Sequence, residues 1–296
     1  MSYVNHSQFI SMIIFQRRQL YIWIFSILVL NACSVNRSTM FGADIIEYTI
    51  PLTAKAQEKK IRKDSFNSTV YLEASERLIQ FSYAILMDKA DRLMYADYYT
   101  AREYYSEALD LFLTSREYML TALSLRHPDF KSKMINKESI SFTTRDIPYL
   151  YWLSGAMAGS ISASKGDPRY LIDLTNIKWL LDNAIALEPG WNKGSLYAAM
   201  MSVYLNDTTG DRDSEKKALE YFELADRAAN GNNIGIYVTL AESFAVAKQD
   251  KDYFLELVNK ALSMDINADK DMKQANLLSK LRAKWLLTRI DDLFYM

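Results

Sequence analysis

The side chains that most often do nucleophilic and metal chemistry are scarce. In 296 residues there is one Cys, Cys33, and there are two His, His6 and His127. Four N/S ligands for a Cys/His zinc site cannot be assembled from these, and one Cys cannot form an intramolecular disulfide. If His6 is lost with a leader, a Ser-His-Asp or Cys-His mechanism would have to run through His127. That residue precedes Pro128, where a ring nitrogen can satisfy the last carbonyls of a helix and complement its dipole. Carboxylates are plentiful but lie among cations: Glu215 beside Lys216 and Lys217, and Asp269 and Asp271 around Lys270. Such runs read as solvated faces, and no spacing isolates the pair a glycoside hydrolase needs. Phosphate-binding glycine loops and EF-hand loops are also missing from the sequence. We expect no enzyme, no cofactor and no metal site.

Cys33 sits in a context with its own chemistry. Residues 1–32 hold no acid; Arg17 and Arg18 precede an 11-residue apolar run from Leu20 to Leu30. A spanning helix needs about 20 such residues, so this run fits a secretory leader instead. Leu30-Asn31-Ala32-Cys33 then matches a bacterial lipobox, although Asn31 is an unusual middle residue. The alternative is a free Cys at the edge of a signal anchor. Cleavage before Cys33 and its acylation would tether the chain to a membrane surface. Met1 and Met12 both remain candidate starts. Ser34, rather than Asp, follows Cys33, which favours the outer membrane.

Tyrosine is the other chemical signal. There are 20 Tyr, with clusters at Tyr95, Tyr98, Tyr99, Tyr104 and Tyr105 and at Tyr149, Tyr151 and Trp152. An apolar ring with a polar tip suits a binding groove as well as a core. Tyr149, Trp152, Tyr197 and Tyr237 fall on the first helices of helix pairs, which line the concave face in stacked repeats. They are the candidate ligand or partner contacts, with core packing as the alternative for each.

The elements that carry these residues are helices. Gly and Pro total only 9 and 5, too few for the turns of a sandwich or barrel or for Rossmann glycine loops. Lys+Arg is 35 against Asp+Glu 36, so no basic field for nucleic acid exists. Residues 1–32 read as leader, 33–66 as a lipidated tether without sustained periodicity, and 67–296 as an all-helical domain. Apolar residues at three- and four-residue spacing predict helices from about Asn67 and over Tyr98–Leu125. Asp146 with Pro148, Asp167 with Pro168, and Asp250 predict further starts; a single helix is expected from Asp167 to Glu188. Others are predicted near Gly194–Leu205, Ser214–Ala229, Asn233–Ala247 and Lys270–Phe294. Segments starting at Leu180, Phe222 and Leu255 resemble one another at spacings of 42 and 33 residues, and Tyr118–Leu125 resembles a fourth copy. Tetratricopeptide repeats are 34 residues long, so the fold class expected is all-α, a TPR-like superhelix of stacked antiparallel helix pairs.

An ordered set of segments extends the resemblance. They are ALSLRHPDF from Ala122, DIPYLYW from Asp146, AIALEP from Ala184, YVTLAE from Tyr237, QDKDYF from Gln249, RAKWLL from Arg282 and DDLF from Asp291. With the lipobox, they make the chain resemble the T component (TatT) of TPR-associated TRAP transporters, a family of periplasmic lipoproteins. The resemblance implies a non-catalytic helper in a tripartite ATP-independent periplasmic transport system. It implies a periplasmic solute-binding P component as partner, a separate permease, an apolar ligand as possible cargo, and a homo-oligomer such as a trimer. The other reading weighed is a TPR-like scaffold in outer-membrane or cell-wall assembly.

The anchor is testable directly. Cys33→Ser should release the protein to the soluble fraction or leave it unprocessed, and fatty-acid labelling should mark wild type alone. Equal labelling of both proteins would contradict acylation at Cys33.

Overall fold

The structure, a computed structural model, describes residues 56–207 and 213–295. Cys33 and the rest of the lipobox lie outside the described residues. Among the described residues every regular element is helical.

A helical segment at 56–63 comes first. Ile61 packs on the core and Gln57 is buried, so residues 56–63 of the stretch read as tether are helical and join the domain. Helix α1 (Ser68–Phe81) follows, starting at Asn67, whose side chain accepts from the Thr69 amide at 3.0 Å. It continues through a π turn, Ser82–Met87, into α2 (Asp88–Leu93). Then come α3 (Tyr98–Arg126), α4 (Phe130–Asn136), α5 (Ile147–Ala163), α6 (Pro168–Leu171) and α7 (Leu174–Leu187). The C-terminal half has α8 (Trp191–Leu205), α9 (Ser214–Ala228), α10 (Ile234–Leu240) with a π turn at Ala241–Ala245, α11 (Lys251–Ser263), α12 (Lys273–Leu287) and α13 (Ile290–Leu293).

Most of the expected starts hold. Asp97, Asp167, Asn233 and Asp250 each accept a backbone N–H at the head of their helices. One boundary and one cap differ from expectation. The helix expected from Asp167 to Glu188 is broken at Asp173, whose buried carboxylate turns inward to Arg116, 3.1 Å away. Asp146 makes no side-chain cap on α5. It instead closes a capping box with Thr143 on the preceding 3-10 turn.

The helices pack in consecutive pairs: α1 on α3, α5 on α7, α8 on α9, α10 on α11, with α12 against α10 and α11. All four similar segments fall on the second helix of a pair. The first helices are the more buried. In α5 only Pro148 and Ile161 escape full burial, whereas α9 buries only Ser214, Ala218 and Ala225. Small residues let the helices approach. Ala184 and Ala225 are fully buried, and Gly194, in the left-handed region at φ +81°, opens the regular part of α8 against α9. The buried apolar side chains form one large cluster from α1 to α8, a second across α10–α13, and a small third one of Ala198, Met201, Ala225 and Ile236.

Gly194 is the sharpest test of this packing. A Cβ there would lie 2.8 Å from the Ala228 Cβ and 3.1 Å from Ala225 backbone atoms. Overpacking on top of the left-handed backbone cost should destabilise Gly194→Ala by about 2–5 kcal/mol. Gly166 has a similar φ, +76°, but open space around it, so Gly166→Ala should cost only the backbone part, about 1–2 kcal/mol. Urea unfolding of both variants checks the difference.

Candidate functional site

The four aromatic candidates separate into two environments. Tyr149 and Trp152 belong to the main core, at 4% and 2% exposure. The Tyr149 hydroxyl lies 3.1 Å from Ser68 Oγ, and the Arg126 guanidinium covers its ring at 4.5 Å. Trp152 packs edge-on against Tyr151. Their ring surfaces are consumed by packing α5 against α1, α3 and α7, because α5 has neighbours on nearly every side. Tyr197 and Tyr237 are half-buried. Tyr197 meets Tyr221 at 6.2 Å, and Tyr221 stacks on Tyr204 at 5.7 Å with an interplanar angle of 13°. Lys178 and Lys217 sit over Tyr204 at 4.7 and 5.3 Å. Tyr237 meets Phe222 edge-on at 5.2 Å and donates to Asp226 Oδ1 at 2.9 Å. The result is a strip of partly exposed rings on α8, α9 and α10. Burial pushes the Tyr221 hydroxyl up to about 12, with Asp182, Tyr204 and Tyr197 adding to the shift, so the Tyr221 phenol is a neutral hydrogen-bonding group at physiological pH.

His127 has a structural partner. It caps α3, and its Nε2 lies 3.0 Å from Asp146 Oδ1, which also accepts from Arg126 Nε at 2.7 Å. Asp146 is 1% exposed. Burial alone would raise its pKa. Hydrogen bonds from the Thr143 backbone, His127, Arg126 and the Thr143 hydroxyl outweigh burial and hold it at about 2. The cluster ties the end of α3 to the turn before α5.

A second buried charge cluster was not legible in the sequence. Arg282 on α12 is 4% exposed. Its guanidinium bonds both oxygens of Glu242 in the second π turn, with Nε 3.2 Å from Oε2. It also lies 3.5 Å from Asp91 and 3.7 Å from Asp88, both on α2. Tyr105 donates to Asp91, and Lys165 lies 3.8 Å from it. Burial pushes the Asp91 carboxyl up to about 7 against the pull of Lys165 and Arg282. Burial likewise draws the Lys165 ammonium down to about 7 against the pull of Asp91. The sequence offered no signal for it: Arg282 is one of four cations on α12, with Lys273, Lys280 and Lys284, and spacing could not bring residues 191 positions apart together.

These helices and contacts define a helical-pair protein built around packing and surface rings. Among the described residues no group of His, Cys, Asp and Glu could hold a metal ion, and no helix is long and apolar enough to cross a membrane. The family model for the TRAP transporter T-component matches residues 43–294, and the chain belongs to that family. It is also similar to an uncharacterized protein of Treponema pallidum (strain Nichols), 21% identical over 258 residues, covering 85% of this chain and 80% of that protein. The family is a transporter accessory subunit rather than a known enzyme family.

The Asp146 cluster gives a pH prediction. A folded-state pKa held below the unfolded value stabilises the fold above the unfolded pKa and loses that contribution as pH falls through the folded one. Asp146 should therefore contribute about 2 kcal/mol at neutral pH that disappears between about pH 4 and pH 2. Asp146→Asn should lose stability at pH 7 and show a flatter stability profile over that interval, measured by urea unfolding at each pH.

Proposed function

We propose that this chain is a non-catalytic, lipid-anchored subunit of a TRAP transport system that docks the periplasmic solute-binding component. The observation that carries this reading is the family match across residues 43–294. The half-buried ring strip supports a binding role. Tyr and Trp are enriched at interface hot spots because they supply large contact area at low entropic cost. Tyr197, Tyr221 and Tyr204 already hold one another in place, and so do Phe222 and Tyr237, so little ordering remains for a partner to impose. In this reading the pairs build a TPR-like superhelix, acylated Cys33 keeps the chain at the outer membrane, and an oligomer such as a trimer offers several copies of the strip. An apolar solute passes along or rests on the inner surface.

Calorimetric titration of the chain with the solute-binding protein of its own transport system tests the reading. Tyr197→Ala should weaken binding by roughly 2 kcal/mol, about thirtyfold, with its melting temperature near wild type. Trp152→Ala should instead lose about 3–5 kcal/mol of stability through a core cavity. The reading fails if the wild-type protein shows no association at tens of micromolar while a cell-wall or outer-membrane assembly protein binds it.

A further inference from the structure

The chain runs from pair to pair and then meets itself. Asp88 and Asp91 stand on the second helical segment of the described chain, and Arg282 stands on its last long helix. Two further contacts cross the same seam: Arg92 lies over Trp285 at 5.4 Å, and Arg289 lies over Tyr95 at 4.5 Å. On the C-terminal side, Glu242 of the second π turn fixes Arg282. The two large apolar clusters do not join here: one ends with α8, and the other spans α10 to α13. The seam is therefore held chiefly by charges and rings, whereas neighbouring pairs elsewhere are held by buried aliphatic side chains.

That difference has an energetic consequence. Apolar burial contributes in proportion to area. A buried ion cluster recovers in Coulomb attraction little more than it lost in desolvation. The burial that raises Asp91 to about 7 and lowers Lys165 to about 7 is that desolvation acting on both signs of charge. The backbone on both sides also departs from regular helix. The π turn Ser82–Met87 runs straight into Asp88, and the π turn Ala241–Ala245 carries Glu242. Such turns are rare and lie most often at functional positions. On the other side of the C-terminal unit, the small cluster of Ala198, Met201, Ala225 and Ile236 links α8 and α9 to α10.

We propose that the α2–α12 seam is a polar latch, with Arg282 as its bolt, that opens as a unit. Opening frees α10–α12 from α2 and exposes the inner faces of the first helices while α1, α3, α5 and α7 stay folded. The small third cluster is the hinge. A regional opening of this kind draws on the least stable contacts of a fold and leaves its main core intact.

Amide hydrogen exchange of the full chain in detergent, followed by mass spectrometry, tests the latch. In Arg282→Met, exchange should rise at least tenfold in peptides covering Asp88–Leu93 and Lys273–Leu287. Peptides from Ile147–Ala163 and Leu174–Leu187 should keep their wild-type rates. Should that variant fail to fold, the double variant Arg92→Ala/Arg289→Ala, which removes the two cation–ring seam contacts together with the local Arg92–Asp88 and Arg289–Asp292 pairs, should show the same selective increase at about threefold or more on both sides of the seam. Unchanged exchange at the seam, or a uniform rise through every helix, overturns the proposal for either variant.

Discussion

The rest of the fold depends on the nearly complete burial of α5. A helix with neighbours on nearly every side cannot follow the amphipathic rule that one stripe faces the core. It must be apolar all round and small where neighbours cross. The sequence Ile147–Ala163 meets both demands, with large rings in its first half and Gly155, Ala156, Ala158 and Gly159 in its second. A Cβ at Gly159 would lie 2.4 Å from the Phe112 ring, and the Tyr83 hydroxyl donates to the Gly155 carbonyl at 3.2 Å. The helices that pack against α5 inherit their spacing from these contacts. The outward face of α9 carries solvent-facing charges such as Glu215, Lys216 and Glu220, whereas α7 sends Ile177, Leu180, Leu181 and Ala184 into the main core.

Polar groups then decide how the ends of helices meet. Asp146 serves Thr143, Arg126 and His127 together and joins α3 to α5. Asp173, at the interruption between α6 and α7, is buried and pairs with Arg116 of α3. Arg282 collects Glu242, Asp91 and Asp88 and joins the far end of the chain to its beginning. Each cluster places charge in a buried position, where full pairing is required, and so fixes which surfaces meet.

How far the sequence foretold this differs by level. Helix positions were legible because three- and four-residue spacing and Asx-type starts are local signals, and Asp97, Asp167 and Asp250 act as caps. The pairing of helices was legible from the similar segments at Tyr118, Leu180, Phe222 and Leu255. The fate of individual rings was not, because Tyr149 and Tyr197 occupy comparable places on first helices and differ only in how many neighbours surround them. The Arg282 cluster was invisible for a related reason. Its members come from α2, α3, α10 and α12, and only the folded path brings them together. The lipobox at Cys33 lies outside the described residues and rests on sequence chemistry.

The central structural claim is that α5 is the inner support and the second helices of later pairs are its periphery. Native-state hydrogen exchange of the unmodified chain, measured with increasing denaturant, tests it most directly. The account predicts that amides from Leu150 to Ser160 exchange only through global unfolding, while those of Ser214–Ala228 exchange through smaller openings at lower free energy. Exchange of α5 amides at the same or lower free energy than those of α9 would contradict it.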